Sequence, residues 1–478
     1  MSDTPRAAET AAPPGFGLSA LAVAGLVVVS RLPFLGPGYG GDSDAWRVAW
    51  AARVIATTGG YEAARFPGNP VHEFACALLW RGGPLALCSA SAVMSAVAAA
   101  AFVSLFRRLG GRDAVLAGLA LASTPALYVV SVQAMDYAWA LAFALLALDQ
   151  AARGRATVSG CLAGLAIGCR ITSGVWLVPL AAALVQARPP GRRLGAVAVQ
   201  SALALLVGAL AFLPALYVYG PGFLRFYADA YPSPAIVLKN ATLDLWGVPG
   251  TLALLLALPL AWRGGRGGPR AAALTSRPAG VLAAAGAVAI ALFLVAFLRV
   301  PWKAAYLIPA VPLVLILFAT RLARPAFAAV CIALVASPWV LKLSLPDPEG
   351  ADAPSAAAVT VRVAGRPLVV DLGRGPLLTA QQRRRHDLER LDRILARAAG
   401  LRDESVVVTA GWMPQIRLRL GGKVQGRVRY EVQLTAPELR ALRARGVALY
   451  DLPGAEWANL RTCGASLRAN GSRPLDLE

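Results

Sequence analysis

Charge and histidine are scarce in this sequence, and its cysteines are scattered. Only 15% of the 478 residues are Asp, Glu, Lys or Arg, and there are two His. Two His exclude a histidine-rich metal site. The six Cys form no CxxC pair, and Cys463 is the single Cys after residue 346. No disulfide can therefore form within that last part of the chain.

Apolar residues dominate instead, at 57% of the chain, with a mean hydropathy of +0.58. Soluble proteins of this length seldom have such a composition. Apolar runs approach the ~20 residues that cross a bilayer as a helix. The sequence therefore predicts an α-helical polytopic membrane protein. We expect about eleven transmembrane helices, at 17–33, 84–106, 113–131, 137–149, 157–169, 174–187, 194–216, 247–262, 279–298, 304–320 and 325–343.

The first 16 residues are polar and lack the basic start of a signal peptide. The apolar run at 18–32 is followed by no small-residue cleavage site, so we expect it to be a retained first helix. We assign 1–16 as a cytoplasmic tail and 17–345 as the transmembrane catalytic domain.

The formal net charge of +21 comes largely from Arg in short loops between the predicted spans. Such loops face the cytoplasm by the positive-inside rule, so the charge reports orientation and does not predict binding to nucleic acid. The expected location is the cytoplasmic (inner) membrane, in multi-pass form. A basic cytoplasmic rim also favours anionic membrane lipids.

The segment 346–478 is charged and alternates between strand and helix patterns. "AVTVRVAGRPLVVDL", "SVVVTAG", "VRYEVQL" and "VALYDL" predict strands. Helices are predicted from Ala380 to Gly400, from Trp412, and after Thr435 as a capping residue. With an odd number of spans before it, this segment is predicted to be a small soluble α/β domain on the extracytoplasmic side.

The first predicted outer loop, 34–83, carries the first dense cluster of charge. Asp42 and Asp44 follow a Gly- and Pro-rich turn. Trp46, Trp50 and Val54 then recur at helical spacing, which is typical of a helix lying at the membrane surface. One interpretation makes the two Asp solvated turn residues, with Asp44 capping that helix. The other makes them the acids of a site.

Further polar residues are predicted to reach the same membrane face. They are Arg65, His72 and Glu73 in the first outer loop, Asp136 in "SVQAMDYAW", Arg170 in "GCRITSG", and Lys303 and Tyr306 in "PWKAAYLIPAVP". An acid between apolar helices is costly and usually faces a cavity. Acids for a hydroxyl or a metal, and cations for a phosphate, would converge there. Snorkelling of Arg170, anchoring by Lys303 and a loop hydrogen bond from His72 are the structural alternatives.

With these residues, the chain resembles the GT-C superfamily of integral-membrane glycosyltransferases over about 17–343. Members place one or two acids in a long first outer loop, as Asp42 and Asp44 stand here. Three further runs match patterns found in bacterial members, in the same order: "FPGNP" at 66–70, "GLAIGCR" at 164–170 and "YLIPAVP" at 306–312. Some members have Glu or a His-Glu pair where Trp302 and Lys303 stand.

The resemblance implies transfer of a sugar from a polyprenyl-phosphate donor to an acceptor at the outer face of the membrane. It implies Asp42 as the catalytic base, with Asp44 as the second choice. Arg170 and Lys303 would stabilise the leaving phosphate, and Arg65 would contact the phosphate or the acceptor. Asp136 would orient the acceptor, while His72, Glu73 and Tyr306 would complete the substrate site.

The acceptor stays open between lipid, glycan and protein. A divalent metal, Mg²⁺ or Mn²⁺, held by Asp42, Asp44 and Asp136 also stays open, and no other cofactor is implied. Two other functions remain as alternatives: a transporter or flippase for a lipid-linked sugar, and a non-catalytic cell-envelope assembly protein. A transporter predicts inverted repeats and polar residues at mid-membrane, and the sequence has no convincing repeat.

Overall fold

The structure is a computed structural model, and it describes residues 17–224, 231–264, 272–344, 354–363 and 365–477. The predicted cytoplasmic tail at 1–16 and the predicted boundary between domains at 345/346 lie outside these residues.

Helices dominate the described residues up to Ala336, as the apolar composition predicts. Short 3₁₀ segments connect several of them, including one at Ala304–Ala310. The helices are α1 (Leu18–Arg31), α2 (Ser43–Thr58), α3 (Pro70–Leu79), α4 (Gly83–Arg108), α5 (Ala114–Ser123), α6 (Pro125–Ser131), α7 (Tyr137–Ala152), α8 (Ala156–Cys169), α9 (Leu177–Ala187), α10 (Arg193–Tyr219), α11 (Pro234–Ala241), α12 (Leu243–Gly264), α13 (Arg277–Arg299), α14 (Val311–Arg321) and α15 (Arg324–Ala336).

Five stretches among the described residues are long and apolar enough to cross a membrane: Pro70–Arg108, Pro190–Phe223, Leu243–Arg263, Arg277–Arg299 and Ala304–Arg321. A sixth forms if α5 and α6, which meet at 68°, make one span. Five further apolar helices have only 10–17 residues. The multi-pass class agrees with these helices, whereas the number of eleven spans and their orientation stay predictions.

The outward faces of the long helices are apolar. Leu194 and Tyr217 at the two ends of α10 are 86% and 91% exposed, and Leu256 on α12 is 73% exposed. Large apolar side chains on the outside are costly in water and suited to lipid.

The bundle interior is built largely from small residues, which let helix backbones approach closely. On α8, a Cβ at Gly160 would lie 2.6 Å from the Gln200 carbonyl oxygen of α10. One turn later, a Cβ at Gly164 would lie 2.5 Å from the Val207 Cβ. This small-residue spacing of four is typical of tightly packed membrane helices.

After Ala336 the chain forms two sheets. The first has three antiparallel strands in the order β1 (Lys342–Ser344), β3 (Arg366–Asp371), β2 (Ala358–Val363). The second contains β4 (Ser405–Val408), β5 (Val424–Gln425), β6 (Val428–Glu431), β7 (Ala448–Asp451) and β8 (Arg473–Pro474), in the order β5-β6-β4-β7-β8. Within it β4 is parallel to β6 and β7, and β5 is antiparallel to β6.

Four helices accompany these sheets: α16 (Pro376–Ala399), α17 (Met413–Leu420), α18 (Ala436–Ala444) and α19 (Ala455–Cys463). Each strand and helix predicted after residue 346 is present. Thr435 caps α18 in a capping box with Glu438, as predicted. α16 begins at Pro376 instead of Ala380, because a proline in the first turn loses no helical hydrogen bond.

The carboxyl-terminal segment is not isolated from the bundle. Leu391 and Ile394 of α16 and Ile416 of α17 belong to the same buried apolar cluster as α2, α4 and α7. The two parts of the chain therefore share one core at the face that carries the first predicted outer loop.

Candidate functional site

The two acids of the predicted first outer loop, 34–83, stand at the beginning of α2. Asp42 is the N-cap residue, and its Oδ1 accepts a hydrogen bond of 3.0 Å from the Asp44 backbone N–H. Asp44 lies in the first turn, where the helix dipole favours negative charge. The capping role expected for Asp44 thus belongs to Asp42. Asp44 is buried, with 6% of the residue exposed, so it is not a solvated turn residue.

Lys303 joins the two acids. It lies between α13 and the 3₁₀ segment at 304–310, and its Nζ donates to Asp42 Oδ2 at 2.5 Å and to Asp44 Oδ2 at 2.6 Å. The predicted convergence of Lys303 with the first outer loop is therefore present, although 261 residues separate Lys303 from Asp42 along the chain.

Arg65 continues the network inward. Its Nη1 donates to Asp44 Oδ2 at 2.5 Å, and its Nη2 donates to Asp136 Oδ1 at 2.6 Å. Arg170 donates from Nη1 to the other oxygen of Asp136, also at 2.6 Å. The Asp136 carboxylate is fully buried and is held between two guanidinium groups.

The result is a chain of ion pairs in which anion and cation alternate. Its order is Asp42, Lys303, Asp44, Arg65, Asp136, Arg170. Three negative and three positive groups alternate, and a fourth cation, the exposed Arg47, lies 3.9 Å from Asp44 Oδ1. Pairing with opposite charge is how charges are tolerated away from water. One end is open: the side chains of Asp42 and Lys303 are each 29% exposed. The network thus leads from a buried core to an accessible carboxylate.

The surroundings separate the two predicted bases. Burial by itself would raise the pKa of the Asp44 carboxyl, but Arg65 and then Lys303 attract its charge strongly enough to hold that pKa below its ordinary value. Burial likewise would lower the pKa of Lys303, but Asp42 and Asp44 raise it. Asp44 is therefore a poor proton acceptor and a good fixed charge. Of the two predicted bases, Asp42 is the accessible one, at the open end of the network.

A cavity of about 290 Å³ adjoins the other end of the network. Arg65, Arg170 and Arg299 supply positive charge to its wall, and Tyr306 supplies a phenol. The rest of the lining is mostly apolar: Phe66, Pro67, Ile171, Phe293, Ala296, Phe297 and Val300, with Asn69 and Thr172. The cavity thus combines a cationic part with an aromatic part.

Tyr137 and Tyr306 hold the cationic wall in place. The Arg170 guanidinium lies 4.1 Å from the ring centre of Tyr137 and 5.4 Å from that of Tyr306. Such cation–π contacts restrain the guanidinium while leaving N–H donors available. Tyr306 was predicted as a site residue, and the structure places it at the cavity. Tyr137 was missed, although it follows Asp136 directly.

His72 and Glu73 do not reach the cavity, so the structure gives no support to their predicted contact with substrate. Both are fully buried on α3. Glu73 accepts hydrogen bonds from the Tyr61 hydroxyl at 2.5 Å and from the Ala64 backbone N–H at 2.8 Å. His72 Nε2 lies 3.4 Å from Cys76 Sγ. Glu73 therefore shapes the loop that presents Arg65.

Several cavity residues were not selected from the sequence. Phe293, Phe297 and Arg299 come from the last turns of α13, and Phe66 belongs to the "FPGNP" turn. The available signal was the spacing of Phe293 and Phe297, four residues apart on one helix face. In an apolar span that spacing is too common to mark a site.

The predicted metal donors do not fit a metal ion as they stand. Among the described ranges, no group of three His, Cys, Asp or Glu side chains meets in a way that could hold one. Both oxygens of Asp136 bind arginine, and Asp44 Oδ2 binds Arg65 and Lys303. A hard divalent cation needs several free oxygen ligands. Cationic side chains occupy the places where such an ion would act.

Comparison with solved structures shows the fold. The structure of ArnT from Cupriavidus metallidurans bound to undecaprenyl phosphate aligns with a TM-score of 0.52 and 15% sequence identity, over 90% of this chain and 88% of ArnT. Arabinosyltransferase EmbB from Mycobacterium smegmatis aligns at a TM-score of 0.41 and 16% identity, over 70% of this chain and 32% of EmbB. No protein-family model and no curated protein sequence matches. The likeness to ArnT shows a shared fold, and this is the fold that the predicted resemblance implies.

Proposed function

We propose that this chain is a membrane glycosyltransferase that moves a sugar from a polyprenyl-phosphate donor to an acceptor at the outer face of the cytoplasmic membrane. The observation that carries the proposal is the cavity, in which three arginines meet an aromatic wall. The cavity lies at one end of the ion-pair chain, and the accessible Asp42 lies at the other. ArnT, which has the same fold, is described as bound to undecaprenyl phosphate, a ligand of this class.

The donor would place its phosphate among Arg65, Arg170 and Arg299. Arg65 and Arg170 use only part of their N–H donors on Asp44 and Asp136, and each guanidinium has five. Phe66, Phe293 and Phe297 would contact the first part of the polyprenyl chain. At about 290 Å³ the cavity is at the lower end for a ligand pocket, so the rest of the chain would extend into the lipid.

In the proposed reaction, Asp42 at one end of the network acts on the acceptor, and the arginines at the other end act on the donor phosphate. The acceptor nucleophile attacks the anomeric carbon and its proton passes to Asp42. The bond between that carbon and the phosphate oxygen breaks, and its electron pair leaves with polyprenyl phosphate. The arginines stabilise the charge that develops on the phosphate, which is commonly the largest catalytic contribution in a site closed to water. Asp44 and Asp136 hold Arg65 and Arg170 in position for this role.

The proposal covers a lipid, a glycan or a protein as acceptor. The open placement of Asp42, at 29% side-chain exposure, admits an acceptor from the aqueous side. The carboxyl-terminal sheets and helices, which we propose to lie outside the membrane, pack beside this opening and would form part of the acceptor path.

The test uses purified full-length protein in lipid nanodiscs with a panel of polyprenyl-phosphate sugars. We expect release of free polyprenyl phosphate from at least one donor when envelope extract supplies the acceptor. Asp42→Asn should abolish release without lowering the folded yield. Asp244→Asn, which alters an exposed ion pair with Lys239, is the matched control and should retain wild-type release.

A parallel reaction with EDTA tests the metal. Because arginine and lysine side chains already bind the carboxylates of Asp44 and Asp136, we expect the same rate of polyprenyl phosphate release with and without the chelator. Equal turnover by wild type and Asp42→Asn would contradict the role of Asp42. Transbilayer movement of an intact donor, with no release of polyprenyl phosphate, would contradict the transferase in favour of a flippase.

A further inference from the structure

A buried arginine from the carboxyl-terminal segment lies directly against the loop that carries the first acids. Arg384 is on α16, and 2% of it is exposed. Its side chain donates five hydrogen bonds to main-chain carbonyl oxygens: those of Phe34 at 2.9 Å, Leu35 at 3.4 Å, Pro37 at 3.2 Å, Gly38 at 2.9 Å and Val132 at 3.0 Å.

The carbonyls belong to the two segments that lead into the ion-pair chain. Residues 34–38 precede Asp42, and Val132 precedes Asp136. A backbone hydrogen bond of 2.9 Å from Ala134 N–H to the Tyr39 carbonyl joins the same two segments. The rigid guanidinium of Arg384 therefore binds both the segment that leads to Asp42 and the segment that leads to Asp136.

The loop has little means of satisfying these carbonyls itself. Pro33 and Pro37 contribute no N–H. Buried carbonyl oxygens without a donor are costly, so an external donor decides whether this loop is stable in its observed shape. A guanidinium presents five N–H donors in one plane, whereas a lysine ammonium offers three from a single point. Only arginine can reach all five oxygens at once.

The loop also lies on the body of α16. A Cβ at Gly41, next to Asp42, would be 3.2 Å from the Arg384 Cγ. A Cβ at Gly38, where φ is +65°, would be 3.4 Å from the Leu388 side chain. Gln381, one turn before Arg384, donates to the Gly36 carbonyl. The glycines thus allow the chain to follow the surface of α16 up to the cap of α2.

We propose that Arg384 is a positioning residue for transfer: it fixes Asp42 and Asp136 relative to each other, so that α16 is part of the catalytic apparatus. This inference rests on the proposed function. It assigns α16 a function within the transfer site in addition to its packing role.

The experiment compares Arg384→Lys and Arg384→Met with Arg385→Met, the exposed neighbour on the same turn. Full-length variants are assayed for release of polyprenyl phosphate per folded molecule. We expect both Arg384 variants to lose about 100-fold in kcat, the size of effect that a small misplacement of reacting groups produces. The KM for the donor should stay within about threefold, because the cationic wall of the cavity stays. In a third variant, Arg384→Ala, added guanidinium ion should partly restore kcat. Arg385→Met should behave as wild type.

A second measurement does not depend on activity. Hydrogen–deuterium exchange should rise in Arg384→Met over 34–46 and 131–137 and stay unchanged in α8 and α10. Wild-type kcat in Arg384→Lys, or unchanged exchange over those two segments, would overturn the inference. If wild type itself releases no polyprenyl phosphate, the proposed function fails, and the exchange result alone decides whether Arg384 fixes the two segments.

Discussion

Single residues decide which acid of the predicted first outer loop is buried and which is accessible. The sequence places Asp42 and Asp44 two positions apart and offers no reason to choose firmly between them. In the structure Asp44 turns into the protein and meets Arg65 and Lys303, whereas Asp42 stays at the open end. The difference arises because the fold brings Arg65 and Lys303 beside the start of α2. No local sequence pattern specifies these long-range contacts.

Replacing Asp44 by Asn should destabilise the protein in a pH-dependent way. Removing one partner of a buried ion pair typically costs about 3–5 kcal/mol, since the cations are left uncompensated. The folded-state pKa of Asp44 lies below the unfolded value of about 3.9. Its stabilisation is therefore complete above that value and is lost as the pH falls through the folded pKa.

The measurement is thermal unfolding in detergent from pH 8 to pH 3. The gap in Tm between wild type and Asp44→Asn should stay constant down to about pH 5 and narrow below about pH 4. Asp244→Asn should show almost no gap at any pH, because its pair with Lys239 is exposed. A gap that already narrows between pH 8 and pH 6 would show that another group is responsible.

Arg299 should affect donor binding and leave the fold intact. It ends α13, is exposed and lines the cavity. A hydrogen bond to a charged group contributes about 1.5–3 kcal/mol, so Arg299→Met should raise the donor KM by roughly 10- to 100-fold. Arg277→Met, at the opposite end of the same helix, is the control and should leave KM unchanged. A fall in kcat at constant KM would place Arg299 elsewhere in the reaction.

At the scale of elements, the close approach of α8 to α10 fixes where Arg170 stands. Gly160 and Gly164 face α10, and Arg170 follows the last turn of α8. Any separation of these helices moves the guanidinium that holds Asp136. The "GLAIGCR" run is thus a packing surface followed by a site residue, which explains why the two features occur together.

Gly164→Leu should therefore weaken both stability and transfer. The new side chain would begin 2.5 Å from the Val207 Cβ and 3.0 Å from the Ala204 carbonyl oxygen. Overpacking of this kind costs about 1–3 kcal/mol and shifts backbones. Gly280→Leu on α13, where a Cβ meets nothing within 4 Å, is the matched control. The Tm of thermal unfolding and the rate of polyprenyl phosphate release should both fall for Gly164→Leu. Both should equal the wild-type values for the control.

How far the sequence predicts an element depends on how local its determinants are. The strands and helices after residue 346 were predicted closely, because capping residues and alternation are local signals: Thr435 begins α18 as expected. The spans were harder. α5 and α6 bend by 68° at Thr124–Pro125, and several apolar helices stop short of spanning length. Whether such helices cross the bilayer depends on their neighbours and not on their own residues.

At the scale of the whole molecule, arginines dock the carboxyl-terminal segment on the predicted first outer loop. The Arg417 guanidinium of α17 lies 4.2 Å from the Trp50 ring centre of α2, and Arg53 of α2 donates to the Leu418 carbonyl at 3.4 Å. The Arg461 guanidinium of α19 lies 6.0 Å from the ring centre of Trp302, next to Lys303. The predicted surface helix with Trp46 and Trp50 is therefore covered by protein on this side. Orientation of one part in the membrane dictates orientation of the other.

This docking makes the placement of Cys463 a test of the orientation of the entire chain. Cys76, Cys88, Cys169 and Cys331 are buried, and Cys161 lies in the apolar helix α8, while Cys463 ends α19 and is partly exposed. The arginine-rich loops predict an extracytoplasmic carboxyl-terminal segment. A membrane-impermeant maleimide should then label intact cells at Cys463, and Cys463→Ala should remove the signal. In that background, Arg112→Cys should be labelled only after the membrane is opened, because it lies in the arginine-rich loop between the predicted spans 84–106 and 113–131. The reverse pattern would place α2, Asp42 and the docked segment in the cytoplasm, where sugar nucleotides are available and a lipid-linked donor is not required.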